Sequence, residues 1–218
     1  GNYTDDISIH GQAAAVFVRS TVAHGRIKSI DTKKAAAMPG VLAIFTGEDF
    51  KDVGGNPAGW LINSRDGTPM REPKRPVLAH GKVRHVGDAY AAVVAETYAQ
   101  AKDAGDLVTV DYDPIEAVGT LEAVERGAGT TIWDSAPDNL CLDWAGGDEA
   151  AVAAAFASAA HTASIDVVQN RIVCNAMEPR AANGVYDPAT DLYTLHTATQ
   201  GVASARDRIA LFLKHPKD

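Results

Sequence analysis

The sequence predicts a mixed fold of strands and helices, of the α+β or α/β class, and three observations support this prediction. Short apolar or alternating runs typical of strands are interleaved with capped helical stretches up to about residue 120. Residues 82–96 read as a short strand, a Gly-Asp turn and a strongly apolar strand, which is typical of a hairpin-like pair. After a loose stretch at 127–147, helix and strand patterns resume. Two domains joined by a linker are therefore expected.

The N-terminal elements follow from local patterns and from helix start and stop signals. Asp31 or Thr32 can cap a short alanine-rich helix, and Thr97 is the expected N-cap of a second helix. Residues 51–75 are rich in Gly, Pro, Asn and Arg and predict a long irregular loop, a class that often carries function. The predicted strands lie at 13–20, 26–31, 41–50, 82–96 and 108–113, and the predicted helices at 31–40 and 97–108.

The C-terminal elements include the most informative turn. A helix is predicted at 148–160, with its first residue, an aspartate, as the N-cap, and alternating apolar residues predict a strand at 161–173. A strand pair is expected around an Asp-Pro turn at 187–188, followed by an amphipathic closing helix. The polar pair Thr199-Gln200 lies where the last strand changes into this helix.

Composition and charge exclude several classes of protein. The 218 residues include 20 basic and 28 acidic side chains, and this net charge of −8 lacks the basic signature of nucleic-acid binding. No apolar run approaches the length of a membrane span, and the N-terminus carries no signal-peptide pattern. Cys141 and Cys174 lie far apart without metal-ligand spacing. We therefore expect two reduced thiols in a cytoplasmic protein that neither crosses a membrane nor binds nucleic acid.

A search for catalytic and metal motifs is mostly negative. The sequence contains no GxSxG, HExxH or P-loop motif, and the glycines at 54–59 have the wrong spacing for a dinucleotide site. His80 and His85 are the closest histidine pair, but five residues place them on opposite sides of a strand, so no metal ligand is predicted. Glu178 could serve as a general base, or it could cap a loop or pair with Arg180.

The stretch "TATQG" at 197–201 is the strongest candidate site. Helix N-termini leave backbone N–H groups unpaired and carry partial positive charge. An amide donor such as Gln200 beside such an end suits an oxyanion, a phosphate or a metal-oxo group. The alternative is an ordinary turn in which Gln200 bonds to neighbouring backbone.

Five segments, taken in order, carry a resemblance that covers nearly the whole chain. They are "YTDDI", "AAAVFVRSTVAHGRIKSIDTKKAAAMPGVLAIFTGEDF", "VRHVGDAYAAVVAETYAQAKDAGDLVTVDYDPIEAV", "NAMEPRAANGVYDPATDLYTLHTATQG" and the Ala-Arg-Asp run that follows. The chain resembles the beginning of the molybdenum-binding large subunit of the xanthine dehydrogenase, aldehyde oxidase and carbon monoxide dehydrogenase family. The resemblance implies an α+β fold: an α/β hammerhead domain at 1–122, a linker at 123–147 and the first part of a molybdopterin-binding domain at 148–218.

The resemblance also implies a cofactor, partners and site residues. Family enzymes use a molybdenum–molybdopterin cofactor to oxidise an aldehyde, an N-heterocycle or carbon monoxide with water-derived oxygen. Electrons leave through 2Fe-2S and FAD centres, carried on a small and a medium subunit or on domains, and copper accompanies molybdenum in carbon monoxide oxidation. In the family, the Gln of the Thr-Gln motif approaches the molybdenum oxo group, and Gln200 matches it. Gln200 is therefore expected to be catalytic and, with Gly201, cofactor-binding, while no residue is expected to ligate metal.

The chain departs from the family pattern in two ways. Family members often carry Pro-His or Val-His after the Thr-Gln-x run, where this chain has Val202-Ala203, and Glu116 stands where the family usually has Pro. The later glycine-rich "GGGFG"-type motif and the C-terminal glutamate of the hydroxylases are absent from this sequence. We expect a fragment or a split subunit that is inactive alone and does not hold the cofactor. The alternative is a non-catalytic subunit-docking module that uses the 51–75 loop as its contact surface.

Overall fold

The structure, a computed structural model, describes residues 1–125, 130–169 and 172–217. The chain divides into two compact units, of which the larger contains 8–142 and 201–218 and the smaller contains 1–7 and 143–200. The predicted bounds at 122 and 148 refer to family domains rather than to these units and stay a prediction. Across the described residues, we find no helix that combines the length and the apolar character required to cross a bilayer.

Among the described residues, the larger unit contains two three-stranded sheets, one two-stranded sheet and four α-helices. The strands are β1 (Ala14–Arg19), β2 (Gly25–Asp31), β3 (Val41–Thr46), β4 (Gly55–Asn56), β5 (Arg75–Pro76), β6 (Lys82–Val83), β7 (Ala89–Ala95) and β8 (Thr109–Pro114). One antiparallel sheet has the strand order β1-β7-β3, the second has the order β6-β2-β8, and β4 pairs with β5. The helices are α1 (Lys33–Ala36), α2 (Tyr98–Gly105), α3 (Leu121–Glu125) and, at the end of the chain, α5 (Val202–Leu213).

The core of this unit is built around β7, whose sequence AYAAVVA is almost entirely buried. Val93 is fully buried between Val16 of β1 and Ile44 of β3. The same core includes Val83 of the second sheet, and the rings of Tyr90 and Tyr112 meet edge to face at 6.3 Å between their centroids. Burying a side chain such as Val93 stabilises the fold by about 1.5–3 kcal/mol. Both sheets therefore share one core.

The N-caps that the sequence predicts for the helices of the larger unit are confirmed. The Thr97 hydroxyl accepts a hydrogen bond from the Gln100 N–H, as expected of the N-cap of α2. Of the two candidate caps before α1, Asp31 is the one whose side chain bonds to the helix. Its carboxylate accepts a hydrogen bond from the Lys33 N–H at 3.0 Å, whereas the Thr32 side chain makes no capping bond. The predicted irregular loop at 51–75 is confirmed, apart from the two-residue strands β4 and β5 that close it.

The segment 130–142 makes several polar contacts within the larger unit. Arg84 lies over the Trp133 ring, 3.9 Å from its centroid, and its Nε donates to the Ile132 carbonyl at 3.1 Å. The Lys82 ammonium pairs with Asp134 at 2.8 Å. These contacts join a stretch predicted as a linker to β6 and to the residue that follows it. The residues between 125 and 130 lie outside the described part.

Among its described residues, the smaller unit contains one α-helix, α4 (Glu149–Ser158), and one hairpin of β9 (Ala182–Asp187) and β10 (Leu192–Thr197). The Asp148 carboxylate caps α4 by accepting from the Ala151 N–H at 2.9 Å, which confirms the predicted N-cap. The hairpin around the Asp-Pro turn is also confirmed, with Tyr186 opposite Tyr193. Phe156 of α4 is 63% exposed, although it belongs to the apolar residues of this helix.

The predicted strand at 161–173 is wrong. Residues 161–169 and 172–173 form no strand, and 170–171 lie outside the described residues. Alternation of apolar residues favours a strand only where a neighbouring strand accepts and donates the backbone hydrogen bonds. The large side chains here remain exposed, including Ile165, Val168 and Val173.

Candidate functional site

The predicted change from strand to helix around Gln200 is confirmed. Strand β10 ends at Thr197, α5 begins at Val202, and Gly201 is the N-cap residue with φ −145° and ψ 86°. Gln200 itself is exposed to solvent, and Gly201 is half-buried. The turn therefore presents an amide side chain directly before a helix N-terminus, whereas the predicted catalytic and cofactor-binding roles of Gln200 and Gly201 stay predictions.

The N-terminus of α5 lacks the side-chain cap that closes α2 and α4. Gly201 has no side chain, and its carbonyl accepts from the Ala205 N–H at 3.0 Å and from the Ser204 hydroxyl at 2.9 Å. No acidic residue lies in the first turn to offset the partial positive charge of the helix end. A Cβ atom at Gly201 would lie 2.5 Å from the Ser204 hydroxyl, which is the end of a short side chain that can rotate away. This end suits an electron-rich oxygen group.

Helix α5 is attached to the loop at 51–75 through one arginine. The Arg208 guanidinium donates to the Asn56 side-chain oxygen at 2.7 Å and lies against Gly59. The sequence analysis missed this contact because the two partners are 152 residues apart. A hint was available in the motif "GGNPAG", whose glycines and asparagine were considered only as a dinucleotide site.

The other candidate residues do not join this turn. Glu178 accepts hydrogen bonds from both the N–H and the hydroxyl of Thr4 at 3.2 Å, so its carboxylate holds the N-terminal turn of the smaller unit. His80 and His85 are both exposed, and the His85 ring lies 3.8 Å from the Asp88 carboxylate. No three His, Cys, Asp or Glu side chains gather into a metal site in the part of the chain that the structure describes.

The two cysteines are free thiols in different settings. Cys141 is half-buried, and its carbonyl accepts from the Arg71 N–H at 2.9 Å. Cys174 is exposed in the extended stretch of the smaller unit. Neither thiol lies in a predicted site.

Comparison with known families identifies both parts of the chain. The model of the family described as "Aldehyde oxidase and xanthine dehydrogenase, a/b hammerhead domain" matches residues 1–116. The model described as "Molybdopterin cofactor-binding domain" matches residues 132–218. This α+β chain thus combines a hammerhead domain with the start of a cofactor-binding domain. It belongs to the aldehyde oxidase and xanthine dehydrogenase family.

Individual relatives support the same assignment. The large subunit of nicotine 6-hydroxylase from Paenarthrobacter nicotinovorans is 33% identical over 216 residues, which cover 98% of this chain and 25% of the relative. The large chain of carbon monoxide dehydrogenase from Hydrogenophaga pseudoflava is 31% identical over 229 residues, covering 100% of this chain and 27% of the relative. The chain therefore spans about a quarter of the length of these relatives.

Solved structures support the same fold. Quinoline 2-oxidoreductase from Pseudomonas putida 86 superposes with a TM-score of 0.76 at 32% identity, covering 100% of this chain and 27% of that structure's chain. Aldehyde oxidoreductase from Desulfovibrio gigas superposes with a TM-score of 0.80 at 28% identity, covering 100% and 24%. The predicted fold class and family are confirmed.

Proposed function

We propose that this chain is the N-terminal part of the large subunit of a molybdenum hydroxylase, which oxidises an aldehyde, an N-heterocycle or carbon monoxide with water-derived oxygen. The observation that carries the proposal is the position of Gln200 directly before the N-terminus of α5, within residues that match a molybdopterin cofactor-binding domain. Relatives named for nicotine and for carbon monoxide both match this region, and we propose that the residues that choose the substrate lie outside it.

The residues of the turn fit the proposed cofactor chemically. When bound, a molybdenum–molybdopterin group supplies the two-electron oxidation of the substrate. The Gln200 amide can donate a hydrogen bond to an electron-rich oxygen, and Gly201 leaves the first N–H groups of α5 uncovered by a side chain. One such donor at a reacting oxygen is worth roughly 3 kcal/mol of barrier. Gln200 is therefore proposed as the catalytic hydrogen-bond donor, and Gly201 as the backbone contact.

The exposed apolar side chains of the smaller unit support a larger assembly. Met177 is 94% exposed, and Ile165 and Val168 are each 85% exposed. Contiguous exposed apolar surface marks a site that another polypeptide surface covers. We propose that the remainder of the large subunit covers these residues and completes the cofactor site, so that the present 218 residues alone are inactive.

The proposed partners are a FAD-binding medium subunit and a 2Fe-2S small subunit, or equivalent domains, together with a small-molecule substrate. Support comes from relatives that are themselves parts of complexes, such as subunit gamma of the 6-hydroxypseudooxynicotine dehydrogenase complex from Paenarthrobacter nicotinovorans. The proposed location is the cytoplasm, where an exposed thiol such as Cys174 stays reduced. Cell fractionation with an antibody to the chain tests the location.

The role of Gln200 is tested in the full-length subunit assembled with its partners. Gln200→Ala is expected to lower kcat about 10²-fold, because it removes one donor from the reacting oxygen, and to leave the molybdenum content unchanged. Val202→Ala is the matched control, since Val202 is an exposed neighbour on the same turn without a polar side chain. An assembled Gln200→Ala enzyme that carries molybdenum and keeps full activity on every candidate substrate would contradict the proposal.

A second candidate is a subunit-docking module without catalytic residues. The observation in its favour is Trp60, which is 82% exposed beside the half-exposed Leu61 in the 51–75 loop. Aromatic side chains at such positions are enriched in protein interfaces. Size-exclusion chromatography of the 218-residue chain with the FAD and iron–sulfur subunits separates the two candidates. Capture by this chain, abolished in Trp60→Ala, favours docking, and capture by the full-length subunit alone argues against it.

A further inference from the structure

We infer that Arg208 is a positioning residue for the Gln200–Gly201 turn, because it fastens α5 to the segment 55–59 of the long loop. This inference rests on the proposed function of Gln200. It assigns a role to a loop that neither the motif search nor the family comparison explained. The role that we assign to Arg208 is indirect: it acts through the direction of α5, which begins at Val202.

The contact between Arg208 and the loop is specific on both sides. The Arg208 Nη1 donates to the Asn56 Oδ1 at 2.7 Å in a partly buried setting. The second nitrogen, Nη2, lies where a Cβ atom on Gly59 would be only 2.7 Å away. Gly59 also has φ +84°, a left-handed conformation that favours glycine. The loop backbone is thus shaped to leave room for the guanidinium.

The segment that receives Arg208 is itself held in place. Asn56 lies in β4, which pairs with β5 opposite Arg75. The Glu72 carboxylate accepts a hydrogen bond from the Ala58 N–H, and the Arg71 N–H donates to the Cys141 carbonyl at 2.9 Å. Arg208 is therefore attached to a braced part of the larger unit rather than to a free loop.

Helix geometry transmits this attachment to the turn. Arg208 follows Gly201 by seven residues, which is about 10 Å along the helix and nearly two full turns, so both lie on one face. A helix behaves as a rigid rod over this distance, so fixing Arg208 also fixes where the N–H groups of the first turn point. A catalytic donor must be held within about 0.5 Å of its productive position. Loosening α5 would therefore weaken the action of Gln200 without removing it.

Arg206 provides a matched control on the same helix. It is exposed, and its guanidinium pairs with the adjacent Asp207 carboxylate at 3.0 Å. Removing it deletes the same charge and the same side chain from α5. Arg206→Ala thus separates the loss of an arginine from the loss of the attachment.

The experiment uses the full-length subunit in its complex and compares Arg208→Ala, Asn56→Ala, the double variant, Asn56→Asp and Arg206→Ala. Arg208→Ala and Asn56→Ala are each expected to speed amide hydrogen exchange at 200–206 and to lower kcat about tenfold, because each removes a hydrogen bond to a charged group. KM and molybdenum content are expected to stay unchanged. The double variant should be no worse than either single variant. Asn56→Asp, which keeps the acceptor oxygen, should restore both readouts, and Arg206→Ala should alter neither.

Two outcomes overturn the inference. If Arg208→Ala changes neither the amide hydrogen exchange at 200–206 nor kcat, the contact does not hold the helix. A general loss of thermal stability and molybdenum, without a selective change at 200–206, would show a merely structural role. If Gln200→Ala loses activity while Arg208→Ala does not, this inference fails alone. If Gln200→Ala is silent, the proposed function fails and the positioning role fails with it.

Discussion

Gly47, at the junction of β3 and the following 3-10 turn (Gly47–Phe50), offers a direct test of the packing in the larger unit. A Cβ atom at this position would lie 2.7 Å from the Ala79 carbonyl carbon and closer still to its oxygen. Because the obstacle is backbone, no side-chain rotation relieves it. Ala79 is 1% exposed, and its N–H donates to the Ala89 carbonyl of β7 at 2.7 Å. Any movement of Ala79 therefore disturbs both the core and a backbone hydrogen bond.

The cost of Gly47→Ala follows from these contacts. Forcing an extra methyl group into a closely packed site costs about 1–3 kcal/mol, and weakening one backbone hydrogen bond adds about 1 kcal/mol. Because alanine lowers the conformational entropy of the unfolded chain, the substitution also stabilises the fold by about 0.4–1 kcal/mol. The expected net loss in the free energy of unfolding is about 1–3.5 kcal/mol, a large share of the total of roughly 5–15 kcal/mol typical of proteins.

Urea unfolding followed by far-UV circular dichroism measures this loss. With a slope of about 2 kcal/mol per molar urea, the midpoint of Gly47→Ala is expected to fall by about 0.5–1.8 M. Gly119→Ala is the control, because a Cβ atom at Gly119 meets nothing within 4 Å and the change in the unfolded chain is the same. A midpoint for Gly47→Ala equal to that of Gly119→Ala would refute the reasoning.

Two further predictions concern Tyr90 in the core and the contact of Arg84 with the segment 130–142. Burial, with a smaller contribution from Tyr112, raises the pKa of Tyr90 to about 12. Since an unfolded tyrosine ionises near pH 10, the stability from this group is complete below about pH 10 and is lost as the pH rises towards 12. In urea titrations at pH 8 and 11, Tyr90→Phe should lose less stability between the two pH values than the unchanged protein does. The control Tyr98→Phe, at an exposed tyrosine, should lose as much as the unchanged protein. Equal losses in the two variants would contradict the prediction. Arg84→Ala should release the segment around Trp133, at a cost of about 1–3 kcal/mol, and limited proteolysis should then cleave 130–142 faster; unchanged cleavage would argue against the contact.

Elements with strong local signals could be predicted from the sequence. The caps at Thr97 and Asp148 and the hairpin around 187–188 depend on residues within a few positions of each other, and all three are confirmed. The segment 161–173 failed because its alternating pattern does not show whether a partner strand exists. The packing of β7 between β1 and β3 depends on long-range pairing that no local window contains.

At the candidate site too, local features could be predicted from the sequence and long-range contacts could not. The position of the Thr-Gln turn between a strand and a helix could be predicted, because both flanking elements have clear periodicity. The missing side-chain cap follows directly from the glycine at the N-cap position, and the first turn of α5 contains no acidic residue. What holds α5 could not be predicted, since the Asn56 contact joins residues 152 positions apart.

The 51–75 loop therefore has two faces with different physical demands. Near its start, Asn56 and Gly59 meet Arg208, and this part tolerates little change because a hydrogen-bond acceptor and a left-handed glycine are both needed. One residue further, Trp60 is exposed and contributes nothing to that contact. The catalytic and docking proposals thus need not compete for the same residues. Asn56→Ala is expected to lower activity and to leave partner binding intact. Trp60→Ala is expected to abolish partner binding and to leave the hydrogen exchange at 200–206 intact. Together these results would show that one part of the loop holds the helix and another part binds a partner.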